Sequence, residues 1–433
     1  MTLFIHGGSI VGADGPVQGD VLITGSSIVA TGTDLPVPAN ARWIDASGSY
    51  VMSGFVDLHA HLREPGHEEA ETIETGARGA ALGGYTAVIA MPNTKPTIDS
   101  PSLIRDVLAM AEGVPCEIIP AAAMTVGREG SLLTPMGELA GMGVRIFTDD
   151  GRGVQDPALM RSIMEYATGL EAVTGGAPIV LAQHCEVEEL SAGGHMHEGE
   201  WSTRLGVGGQ PAESETLMMR RDIALARRTG AHIHFQHVST GEGVDIVRAA
   251  KAEGLKVTAE VTTHHFTLTD AACATYDPVF KVHPPLRTAD DVEAIREGLA
   301  DGTIDCIATD HAPHEPHTKE FPFDQAPPGM LGLESALALA LTELDLPIER
   351  IADLMSWRPA KIAGIDDRHG NPVEVGQRAN LTIVDPGYTW TIAGSSMASR
   401  SHNTPYEGRE VRGKVTHTIL EGDLVVDGGE ATR

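Results

Sequence analysis

The middle of the chain keeps a regular beat, and that beat constrains the fold more than any other feature. Eight short apolar, β-branched runs each end in a polar cluster: GFVDLHAHL, YTAVIAMPN, CEIIPAAAM, GVRIFTDDG, PIVLAQHCE, HIHFQHVS, KVTAEVTTHH and DCIATDHAPH. Between them lie Ala/Leu/Glu/Arg-rich stretches such as EEAETIETGARGAALGG and TGEGVDIVRAAKAEG, several ending in the glycine that stops a helix. Strands alternating with helices predict parallel strands joined by helical crossovers. Eight such units predict an α/β fold built on a closed (β/α)8 TIM-type barrel.

The flanks read differently. Residues 1 to 53 hold short strands with glycine turns (TLFIHGGSI, GDVLITGSSIVATG), and so do residues 377 to 433 (ANLTIVDP, GKVTHTILEGDLVVDGG). Neither flank has enough strands for a core of its own. Together they predict one small β-sandwich domain built from both termini beside a barrel spanning 54 to 376. The 311 to 329 stretch, HAPHEPHTKEFPFDQAPPG, predicts a long functional loop after the eighth strand.

In such a barrel the reacting groups gather at the C-terminal ends of the strands. The polar residues of this chain fall there: His59 and His61, Asn93, Asp149 and Asp150, His184, His237, His264, Asp310 and His314. A period of two puts His59, His61 and Arg63 on one face. The His-x-His pair is a grip for a divalent ion, and imidazole suits zinc. His184, His237 and Asp310 bring two more imidazoles and a carboxylate to the same rim. Four histidines around one open zinc leave no place for water. Two ions sharing the set fit better, His59 and His61 on the first, His184 and His237 on the second. Two dications about 3.5 to 4 Å apart need an anionic bridge. A carbamylated lysine is excluded, because no lysine occurs between Lys95 and Lys251. The aspartates of FTDDG remain, and Asp150 is expected to bridge, with Asp149 as a supporting partner or cap. The His195 and His197 pair has metal-like spacing but a glycine-rich setting, and is expected outside the site. His264 and His265 are expected to be supporting or structural.

Composition sets outer bounds. Sixty acidic against 31 basic residues give a net charge of −29, which repels phosphate backbones and argues against nucleic acid as a partner. No apolar stretch is long enough to span a membrane, and the N-terminus lacks the pattern of a signal peptide. The four cysteines are scattered and read as free thiols in a reducing cytoplasm.

Taken in order, GFVDLHAHLREPG, GGYTAVIAMPNTKP, FTDDGRGVQ, AQHCE, HFQHVST, VTAEVTTHH and IATDHAPH resemble the class I dihydroorotases of the amidohydrolase superfamily, over essentially the whole chain. The resemblance implies a zinc pair bridged by the aspartate of the DDG motif, with His59, His61, Asp150, His184, His237 and Asp310 as ligands. It implies reversible interconversion of N-carbamoyl-L-aspartate and L-dihydroorotate in pyrimidine biosynthesis, with Asp310 as the catalytic proton carrier. It adds substrate contacts from Arg63, Asn93 and His314, with His61 also facing the ligand. A homodimer and association with an aspartate transcarbamoylase are further expectations. Two positions depart from the family pattern: His283 stands where asparagine is usual, and Pro328, before Gly329, stands where an aromatic is usual. Both belong to the expected substrate pocket. Because proline has no N–H, a bond to the ligand there is expected from Gly329 or a carbonyl. The rival readings are another cyclic-amide hydrolase, an allantoinase or hydantoinase, and a non-catalytic scaffold for a transcarbamoylase.

Overall fold

The structure, a computed structural model, describes residues 2–433. Its N-terminal strands are β1 (Thr2–Gly12), β2 (Gly15–Thr24), β3 (Ser27–Gly32), β4 (Arg42–Asp45) and β5 (Tyr50–Ser53). Eight further strands carry the alternating beat: β6 (Phe55–Ala60), β7 (Tyr85–Ala90), β8 (Glu117–Pro120), β9 (Ile146–Phe147), β10 (Val180–Gln183), β11 (His232–Phe235), β12 (Val257–Thr262) and β13 (Cys306–Ala308). The C-terminal strands are β14 (Leu381–Thr391), β15 (Glu410–Leu420), β16 (Asp423–Asp427) and β17 (Glu430–Ala431).

β6 to β8 form one parallel sheet and β9 to β13 another, each in chain order. Single parallel bridges join their free edges, Ala122 to Phe147 and Ala60 to His311. Backbone bonds back them, from Ala122 N–H to the Ile146 carbonyl at 3.2 Å and from His61 N–H to the His311 carbonyl at 2.8 Å. The eight strands therefore follow one another around a ring. Side chains such as Val56, Leu58, Ile89, Val180 and Ala182 pack together on one face of these strands. Phe55, Val88, Leu181, Ile233 and Val261 turn the other way and belong to a larger core that includes the helices. Burial on both faces is what parallel strands covered by helices require.

The helices lie where the sequence predicts them. Thr72, Asp156, Thr240 and Thr288 cap the helices Ile73–Leu82, Pro157–Gly169, Gly241–Ala252 and Ala289–Asp301 through their side-chain oxygens. Gly230 and Gly302 end two helices in the left-handed conformation.

Strands from the two termini interleave. β5 pairs antiparallel with β14, Leu381 opposite Ser53, and parallel with the second half of β1. The terminal strands, predicted as a small β-sandwich, are hydrogen-bonded into one nine-stranded sheet folded over its own core. The reason lies in β1. A bulge between Ile5 and Gly8 splits it, so that residues 3 to 6 pair with β4 and residues 9 and 10 with β5. At Gly8 a Cβ would sit 2.5 Å from Val51 Cγ2, so only glycine allows the approach. The far edge folds back through an antiparallel bridge between Ser27 and Arg378.

Phe55 is fully buried against Tyr85, ring centroids 5.7 Å apart and nearly perpendicular, where the two parts of the fold adjoin. Phe55→Ala is expected to cost about 3–5 kcal/mol of stability. Leu132→Ala, at a side chain 67% exposed, is expected to stay within about 0.5 kcal/mol. Thermal melting of the two variants checks the contrast.

Candidate active site

The residues singled out by the sequence follow the C-terminal ends of the strands and meet at one rim. His59 is the penultimate residue of β6 and His61 follows the strand; Asp150, His184, His237 and Asp310 lie one to three residues past β9, β10, β11 and β13. All six are buried. Asp150 is the meeting point. Its Oδ1 lies 3.3 Å from His59 Nε2, 3.7 Å from His184 Nδ1 and 4.0 Å from His237 Nε2, and its Oδ2 lies 3.6 Å from His61 Nε2. Asp310 Oδ1 is 2.9 Å from His61 Nε2 and 3.5 Å from His59 Nε2.

Two groups of ligand atoms result, His59–His61–Asp150 and Asp150–His184–His237, each with its atoms within 4.8 Å of one another. They share Asp150. His59 Nε2 is a buried ring nitrogen without a hydrogen-bond partner of good geometry. Such an atom costs free energy unless something satisfies it. Imidazole nitrogens and carboxylate oxygens are donors that zinc and its neighbours accept, so these residues fit divalent cations.

Electrostatics agree. Burial opposes the charge on Asp150 and Asp310, but His59 and the neighbouring imidazoles hold both carboxyls below their usual range. Burial likewise disfavours charge on His59 and His184. The carboxylates around His59 raise it, and hydrogen bonds with Asp150 and Glu186 lift His184 to about 10. His237, with no such partner, is pushed down to about 3 by burial and by the nearby His184 and His59. A cation held by these groups would take the place of ring protons.

The two FTDDG aspartates face different ways. Asp149 turns from the rim and accepts backbone N–H bonds from Met124 at 2.8 Å and Thr125 at 3.0 Å, plus the Thr125 hydroxyl. Arg128 NH1 donates to the Asp150 carbonyl at 2.6 Å. Gly153, with φ +64°, lets this loop pass over His184, whose carbonyl oxygen would lie 2.4 Å from a Cβ there. Arg63, His237 and Asp310 have φ of 64°, 33° and 45°. Non-glycine residues held there mark sites where the surroundings override local preference.

A cavity of about 240 Å³ opens beside these groups. His61, Arg63, Asn93, His283, His314, Pro328 and Gly329 all line it, with Asp150, His184, His237 and Asp310. Arg63 donates from Nε to the Pro313 carbonyl at 3.0 Å. His314 Nε2 donates to the Pro328 carbonyl at 2.7 Å. Gln210 Nε2 donates to His283 Nε2 at 3.0 Å.

Asn93 lines the cavity with each amide atom bonded once, Oδ1 to His61 Nδ1 at 2.8 Å and Nδ2 to Asp150 Oδ2 at 3.1 Å, so Nδ2 keeps a second hydrogen. The Gly329 N–H donates to the Lys281 carbonyl at 2.9 Å, while its carbonyl accepts from Asn403 at 3.2 Å and keeps a second lone pair. His195 and His197 stay out of the site, His197 accepting from Arg287 at 3.1 Å. His265 is structural, bonded to Thr262 at 2.7 Å and the Pro284 carbonyl at 3.1 Å.

Sequence reading missed the carboxylates behind the histidines. Glu260 Oε1 lies 2.7 Å from His59 Nδ1, and Glu186 Oε2 lies 3.0 Å from His184 Nε2. The signal was present: Glu186 stands two residues after His184, and Glu260 two before Thr262 on an inward-facing strand position.

Known proteins were compared with the chain. The family described as Dihydro-orotase-like matches residues 48–243. The chain is 47% identical over 418 residues to the Dihydroorotase of Mycobacterium leprae, covering 95% of each chain. It is 46% identical over 435 residues to the Dihydroorotase of Streptomyces coelicolor, covering 99% of each. Among solved structures, the L-hydantoinase (dihydropyrimidinase) from Arthrobacter aurescens superposes with a TM-score of 0.89 at 25% identity, covering 100% of this chain and 98% of that one. A D-hydantoinase from Thermus sp. gives 0.84 at 26% identity, covering 99% and 96%.

Gly153→Ala is expected to lower the melting temperature more than Gly175→Ala. Both glycines have φ near +65 to +70°, but a Cβ at Gly175 meets nothing within 4 Å. The difference between the two melts isolates the contact with His184 from the backbone cost, which is about 1 kcal/mol at each.

Proposed function

The chain belongs to the dihydroorotase family, and we propose that it interconverts N-carbamoyl-L-aspartate and L-dihydroorotate reversibly in de novo pyrimidine biosynthesis. The observation that carries the reading is the sharing of Asp150 by two histidine groups at the cavity wall. We read the ring of strands as a (β/α)8 TIM-type barrel over 54 to 376, with 1 to 53 and 377 to 433 as a second domain. The two edge bridges and the likeness to the hydantoinase structures support this. A cytoplasmic setting belongs to the same proposal, supported by four free, buried cysteines.

Two zinc ions per subunit are proposed: His59 and His61 would hold one, His184 and His237 the other, with Asp150 shared by both groups and Asp310 as a further ligand. When bound, such a pair acidifies water and polarises a carbonyl. The chain's own groups supply the rest. In ring opening, water oxygen adds to the ring carbonyl carbon and the ring C–N bond breaks. Asp310, charged and facing the cavity, takes the proton from the attacking water and returns it to the departing nitrogen. Ring closure reverses each transfer. Arg63 presents a planar cation to the substrate carboxylate, which fixes the ring without taking part in bond breaking. Asn93 keeps His61 and Asp150 in register. His314 is held neutral by burial and the adjacent Arg63; with its Nε2–H given to the Pro328 carbonyl, Nδ1 is left as an acceptor for the ligand.

Hydantoin or allantoin hydrolysis is a second reading, favoured by the structural likeness at 25–26% identity. Neither substrate has a ring carboxylate to engage Arg63, and the identity to proteins named Dihydroorotase is much higher. A scaffold role is disfavoured because all six proposed ligands are present.

Assays on the purified protein with dihydroorotate, hydantoin and allantoin test the choice. Turnover of either of the latter two without dihydroorotate contradicts it. Asp310→Asn is expected to keep the melting temperature and most bound metal while losing about 100-fold or more in kcat. A loss under about tenfold removes Asp310 from proton transfer. Arg63→Ala is expected to raise KM and lower kcat, and an unchanged KM places the carboxylate elsewhere.

A further inference from the structure

Behind the metal-facing nitrogens runs a line of polar side chains buried inside the ring of strands. Glu260, fully buried, puts Oε1 2.7 Å from His59 Nδ1 and Oε2 3.1 Å from His234 Nε2. His234 Nδ1 lies 2.8 Å from Thr258 Oγ1, which lies 3.0 Å from His232 Nε2. His232 lines a cavity of about 680 Å³ away from the reaction site, where the strands begin. The line follows from strand geometry. His234 pairs with Thr258 across parallel β11 and β12, and the intervening Ile233, Phe235, Val257 and Ala259 face the helices.

One arrangement of hydrogens satisfies every contact. A carboxylate only accepts, so His59 Nδ1 and His234 Nε2 each carry a hydrogen. His234 Nδ1 is then a lone pair and takes the Thr258 hydroxyl hydrogen. The hydroxyl oxygen accepts in turn from His232 Nε2. His59 is left with Nε2 aimed at Asp150, the atom with no hydrogen-bond partner of its own. Gln236 Nε2 also approaches His59 Nδ1, but at 3.3 Å, and it reaches the Met91 sulfur at 3.4 Å while Oε1 accepts from Thr148 at 2.9 Å.

We propose that Glu260 is a positioning residue for the metal centre: it fixes His59 in the Nδ1–H form and orients Nε2 for coordination, and His234 holds Glu260 in place. This rests on His59 being a metal ligand. The carboxylate behind a ligating imidazole orients the ring and raises its basicity. Glu260, His234 and Cys306 also bring three potential ligand atoms within 4.8 Å. Burial pushes the Cys306 thiol well up, which disfavours the thiolate that metals bind.

The test is a chelator titration of the zinc-loaded enzyme, repeated on the cobalt-loaded enzyme with its visible spectrum. Glu260→Gln is expected to keep parental affinity for one equivalent, weaken the other by roughly 10- to 100-fold, and shift the cobalt spectrum. His234→Ala is expected to weaken the same equivalent. His234→Gln, which keeps an N–H toward Glu260, is expected to restore it. The His234 pair carries the test alone if Glu260→Gln does not fold. Parental affinities for both equivalents in Glu260→Gln, or no difference between His234→Ala and His234→Gln, overturn the inference and leave the metal centre standing. A third equivalent in the parent that Cys306→Ser removes makes the cluster a metal site and also overturns it. A parent that binds no zinc overturns the metal centre itself, and with it this inference.

Discussion

The structure turns on one buried carboxylate. Asp150 is 2% exposed, with four imidazole nitrogens 3.3 to 4.0 Å from its two oxygens. A charge in that position is costly unless its surroundings supply the opposite sign. His59 and His184 favour it, and three of the four rings are held from behind: His59 by Glu260, His184 by Glu186, His61 by Asn93. The carboxylate itself is fixed through its amide partner Asn93 and through Arg128 on its own carbonyl. Removing one member leaves a buried group unpaired, at a cost to the partner it faced.

The fold makes that convergence inexpensive in sequence terms. Parallel strands all end at the same rim, so one or two polar residues per strand suffice to assemble a site from six separate stretches. The apolar residues before them anchor each strand against helices on one side and the ring interior on the other. Left-handed backbone at Arg63, His237 and Asp310 then aims side chains that a regular strand would have pointed elsewhere. The interleaved terminal strands tie the two ends of the chain to the first strand of the ring through β5, adjoining β6.

Much of this was legible in the residues. Strand period two placed His59 and His61 together, the absence of lysine between 95 and 251 pointed to an aspartate bridge, and the choice of Asp150 over Asp149 matches their different contacts. What stayed hidden has a common cause. Glu260 and Arg128 act on residues 201 and 22 positions away in sequence, and nothing in local pattern says which neighbour such a side chain will meet. Asn93 and Gly329 could be placed at the cavity wall, but their bonds to partners up to 74 residues away could not. The single folded sheet of the termini was hidden for a similar reason: it depends on the bulge between Ile5 and Gly8, where β1 changes partner.

The most direct test of the account is anomalous diffraction at the zinc edge from crystals of the zinc-loaded protein. Two peaks flanking the Asp150 carboxylate, one touching His59 and His61 and the other His184 and His237, are the predicted result. A single peak, or two peaks neither of which contacts Asp150, contradicts it.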